Sequence, residues 1–456
     1  MKNSKIFYIL FLLIFISCSQ KEEENNYTIF SGSINNPIID SLLIKDINRK
    51  LYHTIRLNKD DTFIDTISVV KGYYNLNDRQ NPVYLFLQPS MRLKSVITYK
   101  DKVSSLTFQG DGANENNYLQ HKKELDKTFK KVENSNYFLN LNEIKFLKLS
   151  DSICNVKKNF LKSQIDLDND FRKYESFAIE NDRASFLNRY AMWRGPYLKN
   201  KEFKVSEKFP DPFENINVNN EKLLAHPNYI RYLNEFISSK IINKIKVEDY
   251  DIIEMETIDK ELENQIIKDK VAYNIMLFRL PSTKKLDKLH NTYMSFAKNE
   301  TYKNEIQEIY QNYKKISKGT ISPIFELYDI NNKLVTLESL QGKLVYIDIW
   351  ATWCIPCVQQ IPALNKLEKE FKNENIQFVS ICFNDKKERW NKMIKEKDMG
   401  GIQLFAPDDT ISFFEDYFVS GIPRFILIDT EGKILDANSY RPSDPKLKEL
   451  LVELLR

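Results

Sequence analysis

The chain has 456 residues, room for roughly two to four domains and a sizeable core. It is 42% hydrophobic and 29% charged, which excludes a disordered chain. Lys+Arg at 67 against Asp+Glu at 63 leaves a net charge of +4, with basic residues interleaved among acids, so the charge balance gives no argument for a nucleic-acid partner.

The N-terminus reads MKNSKIFYILFLLIFISCSQKEEENN. Lys2 and Lys5 precede an apolar run, Ile6 to Ile16, that is too short for an ordinary membrane span. Cys18 stands where a lipoprotein signal is cut, so the segment resembles a bacterial lipobox, with Phe15 and Ile16 at positions where leucine and a small residue are commoner. That resemblance implies a signal peptide at 1–17, a diacylglyceryl group on Cys18 and attachment to the membrane through it. The plainer alternative is a secretion signal with an incidental cysteine. Residues 18–26 are then a polar tether, similar to the acidic export signals of some surface lipoproteins of Bacteroidetes.

Residues 27–112 hold short β-branched and aromatic runs such as YTIFSGSI, TFIDTISVV, VYLFLQP and RLKSVITY, separated by turn residues. They predict a small antiparallel β domain. Its closing Gly110-Asp111-Gly112 is not a nucleotide loop, because the third glycine is missing.

Residues 113–318 contain one glycine, Gly195, and predict an all-helical domain. Phe146, Leu149, Ile153, Val156 and Phe160 recur at helical spacing as one apolar stripe, with Cys154 beside it as a packed residue. HPNYIRYLNEFI and VAYNIMLFRL predict two further helices, and the aromatic run FLNRYAMWRGPYL is assigned to the bundle core. Asp166, Asp168 and Asp170 have the spacing of a calcium loop, but Phe171 replaces the required glycine, so a helix-end turn is expected.

From residue 319 to 456 the pattern changes to α/β. Leu344–Ile349 is an apolar strand interrupted only by Asp348, which predicts a central strand buried on both faces. IQFVSICF and PRFILID are two more strands, with helices between. Cys382, mid-strand, is expected to be a buried, inert thiol.

Four cysteines remain after Cys18, too few for a disulfide-stapled fold, and Cys354 and Cys357 form the one local pair. Zinc needs four ligands, yet there is no second such pair, and His53, His121, His226 and His290 all lie far upstream. No metal and no cofactor are therefore expected. A redox pair fits best. A strand ending at Trp350 places Cys354 at the start of the next helix, where free N–H groups stabilise a thiolate. Cys354 would attack a substrate disulfide, and Cys357, one turn on, would resolve the mixed disulfide. Pro362 would kink that helix.

GKLVYIDIWATWCIPC together with VSGIPRFILIDTEGKIL resembles the thioredoxin superfamily, and within it the TlpA-like, extracytoplasmic disulfide reductases. The likeness runs from Gly319 to Arg456 and implies a thioredoxin-like fold there. It matches Cys354 to the attacking cysteine, Cys357 to the resolving one and Trp353 to the tryptophan beside them. It matches Asp348 to the buried acid that moves a proton to or from the resolving cysteine. Pro423 matches the cis-proline facing the pair, with Ile422 offering backbone hydrogen bonds to an extended substrate. Gln360 stands where many TlpA-like proteins carry glutamate, which leaves Asp348 as the expected local base, and no lysine on IQFVSICF balances it. Arg424, after the proline, either faces the site or is an exposed strand residue. The region 27–112 resembles the β-rich domain found ahead of thioredoxin-like domains in Bacteroidetes lipoproteins.

The expected whole is multidomain: an N-terminal antiparallel β domain, a central all-α region and a C-terminal α/β thioredoxin-like fold. The expected function is thiol-disulfide oxidoreduction in the cell envelope, at the periplasmic or outer-membrane surface, in the reducing direction. Its partners would be disulfide-containing proteins and a membrane electron donor. The alternative is a surface lipoprotein whose upstream domains bind a partner or glycan, with the redox domain secondary.

Overall fold

The structure, a computed structural model, describes residues 26–456 apart from 49, 78–82, 101–102, 134–135, 215–216, 242–248 and 408–411. The expected signal peptide 1–17, the lipidation site Cys18 and the tether up to residue 25 lie outside the described residues. The chain divides into two compact units, Met1–Phe236 and Ile237–Arg456, and the division falls inside the expected helical region 113–318.

In the first unit, the strands among the described residues are β1 (Tyr27–Asn35), β2 (Ser41–Lys45), β3 (Leu51–Arg56), β4 (Thr62–Ser68), β5 (Gly72–Asn77), β6 (Val83–Leu87), β7 (Arg92–Lys100) and β8 (Val103–Gly110). They form two four-stranded sheets, ordered β4-β1-β7-β8 and β3-β2-β5-β6. Alternate residues such as Phe30 and Ile34 on β1, Leu42 and Ile44 on β2, and Leu93 and Ile97 on β7 turn inward into one shared core. The expectation of an antiparallel domain needs correction: β1 and β7 pair in parallel. Between them the chain visits the other sheet, and a strand that returns by such a crossover can lie alongside in the same direction. β5 is buried on both faces, because Tyr73 on β5 and Phe86 on β6 turn away from that core to meet Tyr118, Leu161 and Phe171 on the following helices.

Those helices are α1 (Ala113–Glu133), α2 (Tyr137–Asn140), α3 (Glu143–Ser163), α4 (Asn169–Tyr197) and α5 (Tyr229–Ile241). Asn142 caps α3 by accepting from the Lys145 N–H. Asp168 caps α4 by accepting from the Asp170 and Phe171 N–H groups, and its other oxygen meets Lys71. The Asp166–Asp170 run is therefore a capping turn, and no group of three or more His, Cys, Asp or Glu among the described residues is placed to hold a metal. The buried stripe of α3 differs from the expected one. Phe146, Ile153, Cys154 and Leu161 are buried, but Val156 is exposed and Lys157 takes the inner position. Lys157 Nζ reaches Asp126 of α1 at 3.0 Å and Asp182 of α4 at 2.9 Å, so a charge flanked by two acids sits where periodicity asked for an apolar side chain.

The division falls within α5, and after it the second unit holds α6 (Tyr250–Glu261), α7 (Gln265–Arg279), α8 (Leu286–Phe296) and α9 (Glu300–Lys315). It continues with β9 (Glu326–Asp329), β10 (Leu334–Thr336), β11 (Leu344–Trp350), α10 (Ile355–Val358), α11 (Ile361–Glu370), β12 (Ile376–Phe383), α12 (Lys387–Glu396), β13 (Ile402–Ala406), α13 (Ser412–Asp416), β14 (Arg424–Ile428), β15 (Ile434–Asp436) and α14 (Pro445–Leu454). The strands make one sheet, ordered β10-β9-β13-β12-β11-β14-β15, with β11 parallel to β12 and antiparallel to β14. All seven residues of β11 are buried, as its unbroken apolar run requires. One face, with Val345, Ile347, Ile349, Val379, Ile381 and Ile426, joins the cluster that includes Ile316. The opposite face, with Leu344, Tyr346, Phe378 and Phe425, packs on Leu364 and Leu367 of α11.

Candidate active site

The cysteine pair sits where β11 hands the chain to α10. Cys354 is the N-cap of α10, with φ −85° and ψ 91°, and Cys357 lies in its third position. The two sulfurs are joined in a disulfide, with the Cα atoms 5.3 Å apart. The Cys357 backbone N–H donates to Cys354 Sγ at 3.2 Å. This single amide, rather than a long helix dipole, is the local support for charge on Cys354, because α10 spans only four residues. The helix then breaks at Gln359–Gln360 and restarts as α11 with Pro362 in its first turn, the expected kink.

The loop ahead of the pair is pinned. The Thr352 N–H donates to Asp385 at 2.6 Å, and Trp353 Nε1 donates to the Asn384 carbonyl at 3.0 Å. Both sulfur-bearing residues are buried, whereas Trp353 is 53% and Ile355 71% exposed, so apolar side chains stand in solvent beside the disulfide. The Ile422–Pro423 bond is cis, and Ile422 packs against the cluster that contains Cys354 and Cys357.

Asp348 is 4% exposed in the middle of β11, and its Oδ1 has no hydrogen-bond partner among the described residues. Burial, and then the like charge of Glu368, raises its pKa from 3.8 to about 8. A second acid, the partly buried Glu368, stands near Asp348. It lies on α11, and burial lifts its own pKa to about 7 against an opposing backbone hydrogen bond from Gly400. Its signal was present in IPALNKLEKEF, where Glu368 falls on the same helical face as Ile361 and Leu364. Gln360 accepts from the Ser443 N–H at 3.1 Å, so this side chain anchors a loop.

Cys382 is fully buried in the cluster with the pair, and burial together with Asp385 pushes its thiol well above its ordinary value. Arg424 answers to neither sequence reading. It is 8% exposed, its Nε donates to the Ala437 carbonyl at 2.8 Å, and its nearest charged or titratable neighbours are Tyr313, Asp436 and Tyr417. Strand alternation explains this: Phe425 shares a face with Asp348, so Arg424 takes the other.

Residues 317–451 match the Redoxin family. The thiol-disulfide oxidoreductase ResA of Bacillus subtilis is 30% identical over 122 residues, which cover 27% of this chain and 67% of that protein. The thioredoxin-like protein YneN of the same organism is 30% identical over 132 residues, 28% of this chain and 77% of that protein. A crystal structure of the thioredoxin domain of a Bacteroides vulgatus thiol-disulfide oxidoreductase is 28% identical, covering 31% of this chain and 99% of that one at a TM-score of 0.29. The chain belongs to the thioredoxin-like thiol-disulfide oxidoreductases and is an enzyme of that class.

Proposed function

We propose that this protein is an extracytoplasmic protein disulfide reductase, held to the membrane by lipid on Cys18. The observation that carries the reading is the disulfide between Cys354 and Cys357 at a helix start, with the Cys357 N–H on Cys354 Sγ and exposed Trp353 and Ile355 alongside. In the reduced pair, Cys354 thiolate attacks a substrate disulfide and forms a mixed disulfide. Cys357 gives its proton to Asp348, attacks Cys354 Sγ and expels the substrate thiolate. Ile422 and Pro423 offer an edge to an extended substrate, next to Trp353. The direction follows from the TlpA-like family, and a reductase outside the cytoplasm takes its electrons from a membrane donor.

The test is a redox titration of the protein from Ser19 onward, read by alkylation and mass shift. A midpoint near about −270 mV supports a reductase; one near about −120 mV marks an oxidant instead. For the anchor, a Cys18→Ala protein should leave the membrane fraction; retention there removes the lipid from the reading.

A cavity in the first unit favours a second reading, in which the residues ahead of Gly319 bind a partner or glycan. It measures about 560 Å³ and is lined by Lys122, Asp126, Glu175, Asp182, His226 and Arg231 among others. A glycan array and an envelope-protein capture, each run with the full chain and with Arg231→Ala, test it. Binding that the substitution abolishes supports this reading, and no binding at all removes it.

A further inference from the structure

Across the sheet face under α11, the apolar packing is interrupted by one transverse row. Asp348 on β11 pairs with Ser380 on β12, and Ser380 pairs with Gln403 on β13. Directly paired residues share a face, so all three side chains stand on the α11 side. They are 4%, 1% and 5% exposed. On one side of the row lies the cluster of Tyr346, Phe378, Leu364 and Leu367. On the other lies the cluster of Trp350, Cys382, Ile361 and both redox cysteines. The row thus borders the cluster that holds the cysteine pair and crosses the sheet toward the loop at Gly400–Gly401.

That loop is exposed, and Glu368 meets it. The Gly400 backbone hydrogen-bonds the Glu368 carboxylate, and the Gly400 carbonyl accepts from Gln403 Nε2 at 2.6 Å. A side chain on either glycine would collide with the carboxylate: a Cβ on Gly401 would stand 2.8 Å from Glu368 Oε1. Three oxygens along this path, Asp348 Oδ1, Gln403 Oε1 and Glu368 Oε1, are buried with no hydrogen-bond partner among the described residues. A buried carboxylate oxygen without a donor is costly, and the cost falls when the carboxyl carries a proton.

We infer that Glu368 is a proton relay for the Cys354–Cys357 couple, receiving through Asp348 the proton lost by Cys357 and releasing it at the Gly400–Gly401 edge. The inference rests on the proposed role of Asp348. During resolution the Cys357 S–H bond breaks and Asp348, in the ionised fraction that its pKa of about 8 leaves near neutral pH, takes the proton. Cys357 thiolate bonds to Cys354 Sγ, and the Cys354–substrate bond breaks with its electron pair leaving on the substrate sulfur. Asp348 then passes the proton, by way of a bridging water, to Glu368 carboxylate, which returns it to solvent. Glu368 acts through Asp348 and is a positioning residue. Both carboxyls titrate near neutrality, at about 7 for Glu368 and about 8 for Asp348, which permits transfer in either direction. The titratable groups facing Asp348 are Glu368 from α11, Cys382 from β12 and Tyr346 on its own strand; Lys369 is the charge beside Glu368.

The test is the two-phase reaction of the reduced full chain with 5,5′-dithiobis(2-nitrobenzoate), followed by stopped flow from pH 5.5 to 9. The first phase reports attack by Cys354, and the second reports resolution by Cys357. Glu368→Gln should leave the first phase unchanged, slow the second roughly tenfold at pH 7 and shift its inflection, with added imidazole restoring the rate. Buffer rescue is a readout that a merely structural role would not move. An unchanged second phase in Glu368→Gln, or one that is slower but not rescued, overturns the relay. If Asp348→Asn also leaves the second phase unchanged, the proposed role of Asp348 falls with it. If Asp348→Asn slows the second phase and Glu368→Gln does not, only the relay falls. Thermal unfolding of each variant confirms that the fold is retained.

Discussion

The backbone N–H of Cys357 points at the sulfur of Cys354 from 3.2 Å, so the residue proposed to resolve the mixed disulfide also hydrogen-bonds the sulfur proposed to attack. A charged acceptor gains more from such a bond than a neutral one. Iodoacetamide alkylation of Cys354 in the reduced protein should therefore have a pH midpoint below the ordinary value of about 8.5, within roughly 3.5–7.5. Cys354→Ser should abolish exchange, and Cys357→Ser should trap mixed disulfides visible by mass. An active Cys354→Ser protein would remove the mechanism.

Asp348 makes folding less favourable as pH rises. Its folded pKa of about 8 lies above the unfolded 3.8, so its contribution is best below pH 4 and is lost progressively up to about pH 8. Asp348→Asn removes that loss and should raise stability at pH 7 by up to about 4 kcal/mol, with little effect at pH 4. Urea unfolding at the two pH values measures it. Equal effects at both would show that Asp348 is not buried as a neutral acid.

His226 works in the opposite sense. It is 3% exposed, and its Nδ1 accepts from the Asn228 N–H at 3.2 Å, which marks it as neutral. Burial first, then the charge of Lys122, lowers its pKa from 6.5 to about 3. Stability from the neutral ring is present above pH 6.5 and is lost as pH falls toward 3, by several kcal/mol on the order of 3–5 across the window. Hydrogen exchange of peptides from the first unit should reveal this acid weakening, and a His226→Phe variant should lack most of it.

Glu175 is fully buried and accepts from Tyr73 Oη and Lys122 Nζ, each at 2.6 Å. Glu175→Ala leaves the Lys122 ammonium without its partner and should cost about 3–5 kcal/mol in urea unfolding. Replacing both, as Glu175→Leu with Lys122→Met, should recover most of that loss. A single variant as stable as the parent would show that the pair is not desolvated.

Gly401 has φ +63°, and a Cβ there would lie 2.8 Å from both Glu368 Oε1 and the Phe378 carbonyl. Strain and collision add, so Gly401→Ala should lower stability by roughly 2 kcal/mol or more. Gly421 has open space around its Cβ position, and Gly421→Ala is the matched control.

The parts of the site that could be read along the chain are those carried by local pattern. Seven successive buried positions made β11 visible, and the strand-to-helix step placed Cys354 at a cap. Ile361, Leu364 and Leu367 marked the inner face of α11 through spacing alone. β13 (IQLFA) and β15 (ILD) do not stand out, because each lacks the unbroken apolar run that marks β14 (RFILI).

The amino-acid sequence by itself determined the local cysteine pair, the strand that delivers it, the turn that caps α4 and the change from helical to α/β architecture near residue 319. Each follows from residues a few positions apart, whose sterics and hydrogen bonds act before the chain is folded. Tertiary structure alone decided the rest. It set β1 parallel to β7, turned Arg424 away from the cysteines, placed Lys157 between Asp126 and Asp182, and aligned Asp348, Ser380 and Gln403 across one face of the sheet. Those arrangements depend on strand register and helix docking between segments far apart in sequence. Whether a buried polar group is tolerated is settled by the partners that packing brings to it, not by its neighbours along the chain.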